Sequence, residues 1–84
     1  MIPYDKYRNL DEFITDIHDI GEIIFKHGEK EYSLYFDCEK VFISESYKKE
    51  TEQIFNSIDD FINNFILDGK QIKDIVTELD VVSH

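Results

Sequence analysis

The sequence predicts an α+β domain: an N-terminal helix, a three-stranded antiparallel meander with a fourth strand in question, and two C-terminal helices packed on one sheet face. Three observations predict it. Leu10, Phe13, Ile14, Ile17 and Ile20 recur at helical spacing, the apolar period falls to about 2 from Glu22 onward, and helical spacing returns with Ile58, Phe61, Ile62 and Phe65. Helical stripes and alternating strands share one core only when the helices lie on the sheet. A chain of 84 residues fits a single domain, 1–84, burying roughly 60–65% of its surface.

Each element has a local reason. After a polar lead-in from Tyr4 to Arg8, Asn9 is placed to cap the first helix, and Glu12 completes a capping-box pattern. Gly21 supplies the stop, because the left-handed conformation of a C-cap costs glycine nothing sterically. Ile23 and Phe25 alternate with polar neighbours in the first strand, and Tyr32, Leu34 and Phe36 do so in the second, with His27-Gly28-Glu29-Lys30 as the turn between them. A second turn, Asp37-Cys38-Glu39-Lys40, leads to a third strand from Val41 to Glu45, whose edge is expected to be exposed. Ser46 to Glu52 breaks the pattern and is expected to be a loop or strand extension. Gln53-Ile54-Phe55 fits either a short fourth strand or an early start of the next helix. Ser57 and Asp60 resemble a capping box before Ile58 to Phe65, Asp68-Gly69 interrupts with Asp68 recapping, and Ile72, Ile75, Val76 and Leu79 form a last helical stripe ending near Asp80.

Nineteen acidic residues against nine basic ones give a net charge of −10. Such a surface repels nucleic acid and lipid headgroups and attracts basic protein clefts. The acidity does not signal disorder, since 42% of residues are hydrophobic and 14% aromatic. Cys38 is the single cysteine, which excludes an internal disulfide and a thiolate zinc site and suggests a reducing compartment. No signal-peptide h-region or membrane span is visible, so a cytoplasmic location in a host bacterial cell is expected. Abundant Ile, Lys, Asn and Asp without Trp points to an AT-rich bacterial or phage genome.

The usual catalytic constellations are missing. His18, His27 and His84 form no metal-ligand pair at helical spacing. Cys38 is read as structural or incidental. The pairs Asp11-Glu12 and Asp59-Asp60 sit in first helical turns, where the helix dipole and free N–H groups explain them. Gly21, Gly28 and Gly69 stand alone, so no phosphate-cradling loop is built. Lys48-Lys49 is the only adjacent basic pair, too little for a phosphate backbone. A core this small leaves little room for a pocket of roughly 300–1,000 Å³. A binding protein that needs no cofactor is therefore expected rather than an enzyme.

The acids remain. Glu12, Asp16 and Asp19 share a helix face, while Asp37, Glu39 and Glu45 gather around the second turn and third strand with Glu31 on a neighbouring strand. Carboxylates on a rigid scaffold imitate a row of phosphates, and these are the candidate partner-binding residues. Solubility alone is the competing explanation. Tyr4, Tyr7, Tyr35 and Tyr47 offer another possibility: a housekeeping or regulatory module that binds through an apolar and aromatic patch.

The segment Val41-Phe42-Ile43-Ser44-Glu45-Ser46, preceded by Asp37 and Glu39, resembles small acidic prophage anti-CRISPR proteins that inhibit Cas9. That resemblance implies a helix, three-strand, two-helix order and a DNA mimic that occupies the site reading the protospacer-adjacent motif, with Asp37, Glu39 and Glu45 as the positions carried over. Phe55 to Phe61 together with Asp68 to Ile75 looks like the C-terminal half of uncharacterised small proteins of Firmicutes and their phages, to which no activity attaches. The expected partner is a basic host protein such as a CRISPR nuclease or another nucleic-acid-binding enzyme, without direct contact to nucleic acid.

Overall fold

The structure, a computed structural model, describes residues 6–83. Tyr4, expected as a contact residue, and His84 lie outside the described residues. Helix α1 (Leu10–Ile20) leads into β1 (Glu22–His27), β2 (Lys30–Asp37), β3 (Lys40–Glu45) and β4 (Lys48–Phe55). Helix α2 (Ile58–Asn64), a small hairpin of β5 (Ile66–Leu67) and β6 (Lys70–Gln71), the single-turn α3 (Ile72–Ile75), a 3₁₀ turn (Val76–Glu78) and β7 (Asp80–Ser83) follow. The main sheet is five-stranded in the order β4-β3-β2-β1-β7, and every adjacent pair is antiparallel.

The start of the chain folds as its sequence dictates. Asn9 Oδ1 accepts the Glu12 N–H at 3.0 Å, and Gly21, at φ 81°, donates its N–H to the Ile17 carbonyl. The Gly21 carbonyl in turn accepts the Phe36 N–H at 2.9 Å, which ties the end of α1 to β2. The β1–β2 and β2–β3 turns fall at the expected residues, closing on the pairs His27↔Lys30 and Asp37↔Lys40. Phe13 and Ile17 of α1, Ile23 and Phe25 of β1, Leu34, Val41 and Ile43 meet Phe61, Ile62 and Phe65 in one buried cluster. Phe55, Phe61 and Phe65 form its aromatic centre, with ring centroids 5.1–6.1 Å apart.

Three expectations are corrected and one is decided. Of the loop or strand extension expected from Ser46 to Glu52, Lys48 onward is strand: β4 runs for eight residues and takes in Gln53-Ile54-Phe55 as the fourth strand, and only Ser46 and Tyr47 turn. It hid because an edge strand with few neighbours needs little apolar patterning. Only Phe55 of β4 is buried, and a register irregularity between Ile43 and Glu45 breaks its alternation. The third strand is accordingly interior, and β4 and β7 are the sheet edges. Asp68 does not recap a helix. With Gly69 it forms a two-residue turn at φ 53° and 80°, the type I′ signature, between β5 and β6. The last helical stripe is buried at Ile72, Ile75, Val76 and Leu79 as core, yet only one α-helical turn and one 3₁₀ turn form before the backbone extends at Leu79. Pairing of β7 with β1, at Phe25↔Val81 and Lys26↔Asp80, takes that segment into the sheet.

Both longer helices lie on one face of the sheet, in contact with β1 and β2 (α1) and with β3 and β4 (α2). On the other face a cross-strand row runs Glu22↔Tyr35↔Phe42↔Ile54. Tyr35 and Phe42 stack at 4.8 Å with ring planes 11° apart, and Tyr35 and Ile54 are exposed.

Candidate functional site

The strands of a meander give the molecule two ends, and the acids behave differently at each. At one end lie the β1–β2 and β3–β4 turns. Lys6 Nζ meets Asp80 there, Lys48 meets Glu45 at 3.0 Å, and the His27 ring faces Asp68 at 2.9 Å with Nδ1 and Glu78 at 3.5 Å with Nε2. His27 thereby ties the β1–β2 turn to the β5–β6 hairpin and the 3₁₀ turn. Attraction to Glu45, first through their hydrogen bond, holds the Lys48 ammonium above its ordinary value. Burial, then the charges of Asp68 and Glu45, raises the Tyr32 hydroxyl.

At the other end lie the β2–β3 turn, the C-terminus of α1 and the N-terminus of α2. Asp19, Glu22, Asp37, Glu39 and Asp59 are all exposed there. Among the described residues none of them has a lysine or arginine within ion-pair distance; Asp19 faces only His18, at 3.7 Å. Asp19 and Glu22 flank Gly21, the end of α1, where the carbonyl end of the helix dipole gives an acid no stabilisation. The β2–β3 turn is also unusual in its backbone. Cys38 and Glu39 stand at φ 51° and 69°, positions where Asn-Gly or Asp-Gly is the common choice and a side chain costs about 1 kcal/mol.

The structure divides the candidate carboxylates. Asp37, Glu39 and Asp19 lie at the β2–β3 end, with Asp37 cross-strand from Lys40. Glu45 is held by Lys48 at the other end, where Glu31 stands cross-strand from Lys26; neither of these two cross-strand pairs closes to ion-pair distance. β3, from Lys40 to Glu45, spans roughly 17 Å at 3.3–3.4 Å per residue, so Glu39 and Glu45 lie at opposite ends of the strand. Glu12 accepts the Arg8 backbone N–H and ion-pairs its guanidinium at 2.8 Å. Asp16 accepts the Tyr7 hydroxyl at 2.9 Å. Burial, reinforced by that hydrogen bond and the charges of Asp16 and Glu12, pushes the Tyr7 hydroxyl far above its ordinary value.

Sequence reasoning passed over Glu22 and Asp59. Both Asp59 and Asp60 stand in the first turn of α2, where the helix dipole favours them, but the side-chain cap belongs to Asp60: its N–H reaches Ser57 Oγ at 3.0 Å, and its carboxylate accepts from Asn56 N–H and Asn64 Nδ2. The Asp59 carboxylate is exposed and makes no such bond.

The described surface holds depressions of about 270 Å³, between the sheet and the β5–β6 hairpin, and about 260 Å³, beside the β2–β3 turn. Among the described residues no three His, Cys, Asp or Glu side chains are arranged to hold a metal ion, and no helix is long and apolar enough to cross a membrane. Tyr7 is buried, so of the described tyrosines singled out as contacts only Tyr35 and Tyr47 are exposed. Comparison with family models, curated proteins and solved structures finds no match.

Proposed function

We propose that this chain is a non-catalytic acidic binding protein whose β2–β3 end docks into a basic cleft of a nucleic-acid-binding host protein, such as a CRISPR nuclease, and blocks it. The observation that carries this is a difference in pairing: at one end Glu45, Asp68, Glu78 and Asp80 each meet a lysine or histidine, with Glu29 and Glu31 left over, while at the other Glu22, Asp37, Glu39 and Asp59 are all exposed without a basic partner among the described residues. Unpaired carboxylates on a rigid turn steer a basic partner into register and match spaced phosphates. The resemblance of the third-strand segment to prophage anti-CRISPR proteins supports the same partner class.

Purified Cas9 offers a direct test through competition with its target duplex. Charge reversal at Asp37 and Glu39 (D37K/E39K) is expected to weaken association about a hundredfold at low salt, while circular dichroism stays unchanged. The matched reversal at Glu50 and Glu52 on the β4 edge is expected to have a much smaller effect. Association indifferent to salt, to competitor DNA and to D37K/E39K overturns the mimic.

The stacked Tyr35–Phe42 pair with Ile54 beside it supports a second reading, an interaction module that binds through the uncovered sheet face. In that case Tyr35→Ser and Ile54→Ser abolish association that D37K/E39K leaves intact.

A further inference from the structure

On the helix side of the unpaired end, α1, the β2–β3 turn and the start of α2 surround an open depression of about 260 Å³. Its floor is apolar, made of Ile14, Phe36 and Ile58, each only half-buried. His18, Glu39 and Asp59 form the rim, and the His18 and Phe36 rings lie 6.0 Å apart at 33°. A floor and rim of this kind ask for one side chain with a long aliphatic stem and a cationic head.

We infer that this depression is the anchor site for an arginine side chain of the basic partner, with its stem over Ile14 and Ile58, its guanidinium plane along Phe36 and its N–H groups toward Glu39 and Asp59. The inference rests on the proposal that the partner is basic. Arginine fits better than lysine because its planar head both stacks on a ring and offers a fork of donors to two carboxylates, and it is more weakly hydrated. An anion is excluded by Glu39 and Asp59. An uncharged apolar side chain would cover the floor while partly desolvating two carboxylates that gain no partner. A second copy of this chain is a poor occupant: each copy carries −10, and Arg8, its only arginine, is already held by Glu12 at 2.8 Å.

Oligoarginine and oligolysine peptides of equal length, titrated at low salt with calorimetry and backbone amide shifts, separate the possibilities. Oligoarginine is expected to bind about threefold more tightly than oligolysine and to shift Ile14, Phe36 and Ile58. The double variant E39Q/D59N is expected to lose about tenfold for oligoarginine and to erase the preference over lysine. Glu39→Gln alone, on an exposed turn with little bearing on folding, is expected to lose about threefold. Equal affinity for both peptides, with shifts at Asp37 and Glu39 but none at Phe36, overturns the arginine site and leaves the basic-partner proposal standing. Binding of neither peptide, or shifts confined to Glu31 and Glu45, overturns both.

Discussion

The two ends of the sheet carry acids of the same kind to opposite effect. At the end with the β1–β2 and β3–β4 turns, Glu45, Asp68, Glu78 and Asp80 each face a lysine or histidine and fasten separate segments together. At the end with the β2–β3 turn, Asp37, Glu39 and Asp59 face solvent; among the described residues none meets a lysine, arginine or histidine, and Asp37 accepts only from the adjacent Cys38 thiol. Charge that crosslinks the fold explains itself. Charge left over around a tight, left-handed turn is what the proposed docking rests on, and the contrast teaches more than the total of −10.

If the unpaired end is held rigid by its backbone rather than its charges, breaking that backbone should have the largest effect on stability. Gly21→Ala forces a Cβ into φ 81° where α1 meets β2; a loss of about 1–2 kcal/mol in urea unfolding is expected, although no atom crowds the added Cβ closer than 3.7 Å. On the crosslinked side, Tyr7→Phe removes the hydroxyl bonded to Asp16 and should cost about 1 kcal/mol. It should also change the pH profile. The native state keeps the Tyr7 proton above its ordinary pKa of 10.0 while the unfolded chain releases it, so the unfolded state binds fewer protons and stability falls as pH rises past that value. Up to about 1.4 kcal/mol per pH unit comes from this group, and the Phe variant should show a shallower alkaline decline, with the Tyr32 contribution of the same sign remaining.

A smaller effect sharpens the contrast further. His27→Ala breaks the contacts to Asp68 and Glu78 and should cost about 1 kcal/mol or slightly less, with faster amide exchange across β5 and β6. Asp37→Asn at the other end should leave the melting temperature unchanged. Equal losses from the two variants would mean that both ends are structural. Smallest is Glu39→Gly, which releases a side chain from φ 69° and should stabilise by roughly 0.5 kcal/mol even as it removes a proposed contact. A variant more stable yet weaker in binding would mark the turn as kept for recognition.

Much of the first half of the fold was legible because its signals are local. Asn9, Gly21 and the period change at Glu22 place α1, β1, β2, β3 and the turns between them from neighbouring residues alone, and Ser57 with Asp60 does the same for α2. What escaped depends on partners far along the chain. Lys48 to Glu52 reads equally as loop or strand extension until β3 supplies the ladder, and Asp80 to Ser83 follows a helical stripe until β1 recruits it into the sheet. The candidate site was half legible for the same reason. Glu12, Asp16 and Asp19 share a face by spacing, but Tyr7 and Arg8 claim the first two. Glu39 and Asp59, separated by two strands and a cap, line one depression.

By itself, then, the sequence determined the amount of charge, the local elements and the residues that must be buried, because composition, caps and periodicity are properties of short segments. Only the tertiary structure decided which carboxylates are satisfied. Such contacts need side chains within a few ångströms, and the pairs that matter here join His27 to Asp68 and Lys6 to Asp80, 41 and 74 residues apart in the chain. The folded sheet brings those groups together at one end, and by the same geometry leaves Asp37, Glu39 and Asp59 unmatched at the other.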